Sequence, residues 1–328
     1  MKKVCERCKV IRSMSATFCV VCGEELVVPQ KTDKFLQDFL AIDAATLKRF
    51  KDIQQSTIQE ASTYSKKNKV ITAIGISGSA RDQFDMASED SNSEFLLKEC
   101  LQKLNELGAQ TELLPLRKYN IKPCKACYST TNTQCHFYCS CYPKGSPTGD
   151  DMSNILYDKI LQADIIIFGT PVNNFKISSL LTLFIDRCIS LDGSLAPANP
   201  QATKDKELNC KHTKFIELMS DQNIPGSGFL RRFIGKVGGV IVTGHEEGAS
   251  MAISQLFMTL NHFGMIFPPW SNMYAMSSIT NPTYNDKSIV TSPIYIEETH
   301  EIAHNVMSTA QLLRNFNMMN WKYDYSSN

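Results

Sequence analysis

The chain has 328 residues, 43% of them hydrophobic, which is enough for one large domain with a proper core and a smaller unit beside it. The net charge is +1 without a long run of one sign, which argues against a nucleic-acid or membrane-surface partner. The start of the sequence lacks a signal-peptide segment, and no apolar run approaches the roughly 18 residues of a membrane span. Together with twelve cysteines, these features predict a cytoplasmic protein whose cysteines serve metal or redox chemistry.

Residues 1–28 are predicted to form a separate metal-binding unit. Cys5 and Cys8 make one pair with two residues between them, and Cys19 and Cys22 make a second. Four thiolates at this spacing can close a tetrahedral site, and so short a segment cannot build a core of its own. The pattern resembles a short zinc ribbon. Iron bound as in rubredoxin is the alternative, although the stretch between the pairs is shorter here, which favours zinc. Four unpaired thiols in a floppy tail are the remaining alternative.

Residues 29–68 are predicted to form a helical connector that ends in the polar stretch 65–68. Its apolar stripe includes Phe35, Leu36 and Phe39. An amphipathic helix usually packs on its own domain, and a contact between subunits is the alternative. We expect a homo-oligomer.

From residue 69 the pattern alternates between strands and helices. The predicted strands are 69–76, 110–116, 164–169, 238–243 and a weak one at 265–267. The predicted helices are 92–107, 151–162, 178–189, 250–263 and 296–315. This alternation indicates an α/β domain over 69–328, with a doubly wound, five-stranded parallel sheet and an insertion at about 190–235. The insertion could shape an acceptor site or a subunit contact.

A small polar loop follows the first of these strands and leads to a helix. Ser77, Ser79 and Arg81 lie in the loop, and Asn92 and Ser93 open the helix. Backbone N–H groups and a helix N-terminus directed at one point suit a phosphate. The loop matches neither the dinucleotide-binding nor the nucleoside-triphosphate fingerprint, so an ordinary Gly/Ser turn remains the alternative.

Two further loops should meet this one, because the carboxyl ends of parallel strands form the ligand-binding edge of such a sheet. After the third strand come Thr170 to Ser178 and then the segment Phe184-Ile185-Asp186-Arg187, and after the fourth come Thr243 to Ala249. Together with the phosphate loop, these segments resemble the NADPH-dependent FMN reductase-like flavoproteins. Within that group they most resemble the iron–sulfur flavoproteins.

The resemblance implies a flavodoxin-like fold that binds FMN, with residues in three roles. It implies phosphate contacts from Ser77, Ser79, Arg81, Asn92 and Ser93. It implies a wall of the isoalloxazine ring from Pro171, Val172, Asn173, Asn174 and Phe175, and a third wall from Thr243, Gly244, His245, Glu247 and Gly248. A simple turn at Asn173 and Asn174, and a solvated loop histidine at His245, are the alternatives.

A second group of cysteines lies on a long loop after the second strand. It comprises Cys124, Cys127, Cys135, Cys139 and Cys141. The iron–sulfur flavoproteins carry a cluster motif here, but their third cysteine would fall on Thr130. A 4Fe–4S cluster that uses Cys124, Cys127 and two of the other three is one interpretation. Another metal, a redox disulfide, or no special role are the others. Cys100, Cys188 and Cys210 are predicted to be structural.

These features predict an FMN-dependent oxidoreductase that takes electrons from NADPH or NADH, or from a reduced carrier. The acceptor would be a small molecule or a redox protein such as a ferredoxin, with the iron–sulfur cluster on the route if it is present. The flavin performs the chemistry, so no catalytic acid or base is assigned. One alternative is an electron carrier without its own NAD(P)H turnover. Another is a zinc-ribbon binding module with a redox-sensing flavodoxin-like domain.

Overall fold

The computed structural model describes residues 2–63, 70–82, 84, 86, 90–130, 134–244, 248–276 and 286–315. The strands are β1 (Lys2–Cys5), β2 (Val10–Ser13), β3 (Thr72–Ser77), β4 (Gln110–Pro115), β5 (Ile165–Asn173), β6 (Lys176–Ile177), β7 (Asp192–Ser194), β8 (Leu230–Arg231), β9 (Val237–Gly244) and β10 (Asn272–Met276). The α-helices are α1 (Asp33–Leu40), α2 (Ala44–Ser62), α3 (Asn92–Glu106), α4 (Tyr157–Gln162), α5 (Ser179–Cys188), α6 (Lys206–Met219), α7 (Ala249–His262), α8 (Asp286–Val290) and α9 (Pro293–Leu312). Within these described ranges, no helix is long and apolar enough to cross a bilayer.

The central sheet has the strand order β4-β3-β5-β9-β10, and every neighbouring pair is parallel. Strands β3, β5 and β9 carry buried side chains along nearly their whole length, as strands covered on both faces do. One face of the sheet packs against α4, α5 and α7, and the other packs against α3 and α9. The predicted flavodoxin-like, doubly wound fold is therefore confirmed.

The position predicted for the fifth strand is wrong. Residues 265–267 make only a single bridge, from Ile266 to Val237, and the edge strand is β10. Pro268 and Pro269 follow directly and lack the N–H groups that a ladder needs. Strand β10 buries only alternate side chains, Met273 and Ala275, so its sequence lacks the apolar run that marks the inner strands.

The connector, the insertion and the N-terminal unit share a second core. The connector forms α1 and α2, as predicted, with Ala41 in a left-handed conformation between them. The insertion contributes α6, which the sequence did not predict. The buried apolar residues of this core are Val4, Leu36, Phe39, Leu40, Leu47, Phe50, Leu195, Ala198, Phe215, Ile216 and Leu218. Helix α6 therefore packs against both the connector and the N-terminal unit.

Polar contacts also join the connector to the end of the insertion. The Arg232 guanidinium, which is buried, donates to both Glu60 oxygens at 2.7 and 3.0 Å. Gly226, with φ +81°, lies so close to α2 that an added Cβ would stand 2.4 Å from the Thr57 carbonyl oxygen. These contacts leave little freedom between α2 and the segment that precedes β9. The predicted division into residues 1–28, 29–68 and 69–328 stays a prediction.

Candidate functional site

The loops after β3 and β5 are joined directly at the carboxyl edge of the sheet. The Gly78 N–H donates to the Gly169 carbonyl at 2.8 Å, and the Ser178 hydroxyl donates to the Gly78 carbonyl at 2.6 Å. A Cβ on Gly78 would lie 2.8 Å from Ser178 Oγ and 2.9 Å from Leu181 Cβ. Only glycine lets the phosphate loop pass this close to the start of α5.

The N-termini of α3 and α5 differ in a way that bears on anion binding. Ser178 caps α5, since its hydroxyl accepts the Leu181 N–H at 3.2 Å. Ser91 stands at the same position of α3, but its hydroxyl pairs with that of Ser93 at 3.0 Å and makes no cap. Helix N-termini need an acceptor for their first N–H groups. The start of α3 therefore suits an external anion.

The predicted phosphate contacts lie together at this point, although their hydroxyls differ in what they bind. Ser79 and Ser93 are buried, and Ser79 Oγ accepts the Arg81 N–H at 3.2 Å. Arg81 is exposed and Asn92 is half-buried. The Ser77 hydroxyl instead donates to Glu94 at 2.8 Å. The structure thus gives Ser77 a partner beneath the loop.

The buried Glu94 and the half-buried Arg117 form an ion pair under the phosphate loop that the sequence did not reveal. The Arg117 guanidinium donates to both Glu94 oxygens, with one contact at 3.1 Å. Burial alone would raise the pKa of Glu94, but the hydrogen bonds from Arg117 and Ser77 hold the pKa below its usual value. The carboxylate is therefore ionised and paired, so its charge does not oppose an anion at the start of α3.

A tight hairpin forms the predicted ring-contacting segment. Val172 pairs with Ile177 and Asn173 pairs with Lys176, which leaves Asn174 and Phe175 as a two-residue turn. Both turn residues have positive φ values, 50° and 61°, as the turns of such hairpins require. For phenylalanine this conformation is strained, and its side chain is 56% exposed. The Phe175 ring is thus exposed beside the junction of the loops, and its backbone is strained to keep it there. Such a ring suits contact with a planar ligand.

The loop after β9 reaches the same hairpin. Pro171 pairs in register with Thr243, and a Cβ on Gly244 would lie 3.2 Å from Val172 Cβ. A Cβ on Gly248 would lie 2.5 Å from Phe175 Cα, so the chain passes directly against the turn. The structure therefore brings together the described residues of all three predicted walls. His245 and Glu247 lie outside the described residues.

The four N-terminal cysteines converge as a mononuclear metal site requires. The sulfur atoms of Cys5, Cys8, Cys19 and Cys22 all lie within 4.8 Å of one another, and those of Cys5 and Cys22 are 3.5 Å apart. Tetrahedral zinc with four thiolates places its sulfurs roughly 3.8 Å apart. The Val21 N–H is the main group that lowers the pKa of Cys19, to about 7, which favours a thiolate ligand. The arrangement fits the predicted zinc ribbon.

The second cysteine loop is anchored by a buried ion pair. Arg187 and Asp150 are both fully buried, and their two hydrogen bonds measure 2.8 and 2.9 Å. Arg187 also donates to the Lys122 carbonyl at 2.8 Å and lies 4.7 Å from the centre of the Tyr142 ring. Two segments of the loop, near residues 122 and 142, are thereby fixed to α5. Within the Phe184-Ile185-Asp186-Arg187 segment, Arg187 thus has a structural role.

Four of the five loop cysteines line a cavity of about 270 Å³. They are Cys127, Cys135, Cys139 and Cys141, and Cys124 is not among the lining residues. The sulfurs of Cys127 and Cys141 are 3.4 Å apart. Hydrogen bonding from Cys141 is the main cause that lowers the pKa of Cys139, to about 6. Within the described residues, these thiols do not meet the close four-sulfur spacing of the ribbon.

Comparison with known proteins identifies relatives of the central part of the chain. Residues 71–208 match the sequence model of the family described as NADPH-dependent FMN reductase. An iron–sulfur flavoprotein of Archaeoglobus fulgidus is 32% identical over 119 residues, 36% of this chain and 51% of that protein. One of Methanocaldococcus jannaschii is 33% identical over 115 residues, 35% of this chain and 50% of that protein. The chain therefore spans about half the length of these curated relatives.

A solved structure agrees on the fold. The crystal structure of RosB with the bound intermediate 8-demethyl-8-formylriboflavin-5'-phosphate superposes with a TM-score of 0.53 at 16% identity, over 76% of this chain and 82% of that one. At this identity the likeness concerns the fold alone. The resemblance is confirmed for residues 71–208, which contain the first two of the three loops.

Proposed function

We propose that this chain, whose residues 71–208 match the model of the NADPH-dependent FMN reductase family, binds FMN and acts as a flavin oxidoreductase. The observation that carries the proposal is the start of α3, where Ser91 leaves the first N–H groups uncapped beside a buried Ser79 and the close-packed Gly78. That combination suits the FMN phosphate. Glu94 lies beneath this point and is paired with Arg117. It therefore fixes Ser77 of the loop without a net negative charge that would repel the phosphate.

The hairpin and the loop after β9 would hold the isoalloxazine ring. Phe175 and Val172 offer apolar contact, and the loop after β9 lies against both of them at Gly244 and Gly248. FMN, once bound, supplies hydride acceptance and one- or two-electron transfer. The residues of this chain would position the ring. We propose NADPH or NADH as the donor and a small molecule or redox protein, such as a ferredoxin, as the acceptor.

The remaining parts of the proposal concern metals and cellular context. The ribbon cysteines would hold one structural zinc ion, and the cysteine loop would hold an iron–sulfur cluster in electron contact with the flavin. Twelve cysteines devoted to metal or redox chemistry suit a reducing compartment, so we also propose a cytoplasmic location. Homo-oligomer formation remains part of the proposal.

FMN content tests the proposal directly. The purified protein should be yellow, and Arg81→Ala with Ser79→Ala should weaken FMN binding at least about tenfold per residue, because charge-assisted hydrogen bonds contribute roughly 1.5–3 kcal/mol each. The matched control is Arg7→Ala with Ser15→Ala, which removes the same groups from the exposed ribbon surface. Colourless protein that ignores added FMN would contradict the proposal.

The second candidate is an electron carrier that is reduced by another protein. It would bind FMN equally well, so binding does not separate it from an NAD(P)H-dependent enzyme. Steady oxidation of NADPH or NADH with a quinone or dye acceptor supports the enzyme. Flavin that NADPH and NADH leave oxidised, but that a reduced ferredoxin reduces, supports the carrier.

A further inference from the structure

The start of α3 carries the sequence of a helix cap that the fold does not form. Ser91 stands at the N-cap and Glu94 follows three positions later, which is the pattern of a capping box. In such a box the serine hydroxyl accepts the N–H of the third helical residue, and the glutamate accepts the N–H of the N-cap residue. A completed box therefore satisfies two of the donors that an anion would otherwise meet.

Both side chains of the box are engaged elsewhere. The Ser91 hydroxyl pairs with that of Ser93 at 3.0 Å and makes no cap. The two Glu94 oxygens accept from Arg117, and one of them also accepts the Ser77 hydroxyl at 2.8 Å. The carboxylate that would cap α3 is thus held by partners outside the helix.

The sheet determines where Arg117 lies. Strand β4 pairs in register with β3, so that Pro115 lies beside Ser77, and Arg117 follows two residues later. Leu116, between them, is fully buried. The Arg117 side chain is 16% exposed and that of Glu94 only 3%. An arginine fixed in this way binds a carboxylate through two donors at once, which fixes the orientation of the carboxylate as well as balancing its charge.

The other charges near this pair do not replace Arg117. Lys98 lies 3.5 Å from Glu94, but its side chain is 45% exposed and it also pairs with Asp90 at 3.2 Å. Asp82 and Asp90 are close enough to interact electrostatically with Arg117. Without Arg117, the remaining cation at Glu94 among the described residues would be a shared lysine that solvent screens.

We propose that Arg117 is a positioning residue for the FMN phosphate, because it keeps Glu94 from completing the capping box and so leaves the N-terminus of α3 open to the phosphate. This inference rests on the proposed function, in which the phosphate binds at that point. Without Arg117, the Glu94 carboxylate would compete with the phosphate for the same N–H groups and would also repel it. Arg117 has this effect without touching the ligand.

The two partners of the ion pair should differ in their effect on FMN affinity. Arg117→Met releases the carboxylate and should raise the FMN dissociation constant at least about tenfold. Glu94→Ala breaks the same pair but removes the competitor, so the constant should stay within about threefold of the native value. Lys118→Met removes a charge from an exposed position of the same turn and should change the constant less than about twofold. Fluorescence titration of the flavin-free, full-length proteins measures the constants.

Removal of both partners supplies the rescue. Arg117→Met with Glu94→Ala should bind FMN at least about fivefold more tightly than Arg117→Met alone. Arg117→Lys keeps the charge without the two-pronged contact, so it is a milder variant whose smaller loss Glu94→Ala should again remove. Urea unfolding of each flavin-free variant shows that it is folded. Equal losses in Arg117→Met and Glu94→Ala, or double variants no better than the single arginine variants, would overturn the inference.

Riboflavin separates the phosphate from the ring. It lacks the phosphate, so Arg117→Met should leave its dissociation constant within about twofold of the native value. An equal loss for riboflavin and FMN would mean that the ring site had changed and would overturn the inference. A native protein that binds neither flavin contradicts the proposed function itself. Equal FMN affinity of the native protein and Arg117→Met contradicts this inference alone.

Discussion

The two groups of cysteines in this protein are built on opposite principles. In the ribbon, four sulfurs from residues 5 to 22 converge within 4.8 Å, and the backbone between them is held by short-range hydrogen bonds such as Gly23 N–H to the Cys19 carbonyl at 2.8 Å. In the cysteine loop, four thiols stand around a cavity whose walls come from residues as far apart as Cys127 and Asn209. The first group is local and compact, and the second depends on tertiary structure.

This difference indicates what each site can bind and what it depends on. A compact set of thiolates matches one ion and gains its order from that ion. The walls of the cavity instead come from the cysteine loop, which the Arg187–Asp150 pair fixes to α5, and from residues of the insertion. We therefore expect the ribbon to unfold when its metal is removed and to refold when the metal is added back. The cavity, in contrast, should be disrupted by mutations that lie far from any thiol.

The largest expected effect comes from the ribbon. Cys19→Ser with Cys22→Ser should abolish zinc binding and unfold the ribbon, because structural zinc contributes on the order of 10 kcal/mol to such units. FMN and iron should remain. Metal analysis and a chelator titration of both proteins measure the effect. Iron in place of zinc in the native ribbon would show that the metal assignment is wrong.

The next largest effect separates the cavity from the ribbon. Arg187→Met should leave the Asp150 carboxylate buried and unpaired, with a cost of about 3–5 kcal/mol in the free energy of unfolding and loss of loop iron. Zinc should stay bound. Lys103→Met, which breaks the more exposed pair with Glu106, is the control and should cost at most about 1 kcal/mol. Unfolding in urea and metal content together measure this. Equal costs in the two variants would contradict the anchoring role of Arg187.

A smaller effect depends on pH and concerns the core that the ribbon shares with the connector and the insertion. His212 is buried between Phe50 and Phe215, and burial lowers its pKa to about 3. The unfolded chain takes up this proton below about pH 6.5, so His212 lowers the free energy of unfolding as the pH falls from 6.5 towards 3. At pH 5 the loss is about 2 kcal/mol. His212→Phe should remove this loss, and stability curves at pH 8 and pH 5 measure it. An unchanged difference between the two pH values would contradict the prediction.

The smallest effect concerns the outer surface of the ribbon. Val20 and Val21 are exposed, so Val20→Thr with Val21→Thr should change stability by less than about 0.5 kcal/mol and leave zinc in place. Val4→Ala, in the shared core, should cost clearly more. Similar costs at the two places would mean that the ribbon surface is covered in the folded protein. Thermal unfolding of the two variants makes the comparison.

The sequence predicted those parts of the fold whose signals are local. Strand β5 is a continuous apolar run, and the ends of parallel strands must meet, so the three loops around Gly78, Phe175 and Gly248 were expected together. The ribbon was predictable because its ligands lie in two short pairs. In each case, neighbours in sequence determine neighbours in space.

The parts that were missed depend on contacts between distant residues. Helix α6 buries Asn209, His212 and Thr213 along with its apolar side chains, so its face does not read as a hydrophobic stripe. The pairs Glu94–Arg117 and Asp150–Arg187 join residues 23 and 37 positions apart, and single charged residues give no sign of such partners. The cavity was missed for the same reason, since four of its eleven lining residues come from the insertion.

Gly226 is a sequence feature that indicates the contact between α2 and the insertion, and it can be looked for in other sequences. A side chain there would collide with the Thr57 carbonyl oxygen, but only while α2 lies against it. In a related chain that lacks a helix equivalent to α2, that collision would vanish and only the positive φ would still favour glycine. We therefore expect relatives that carry the connector to keep glycine at this position. The glycine would then identify such relatives even where the connector sequence itself has diverged beyond recognition.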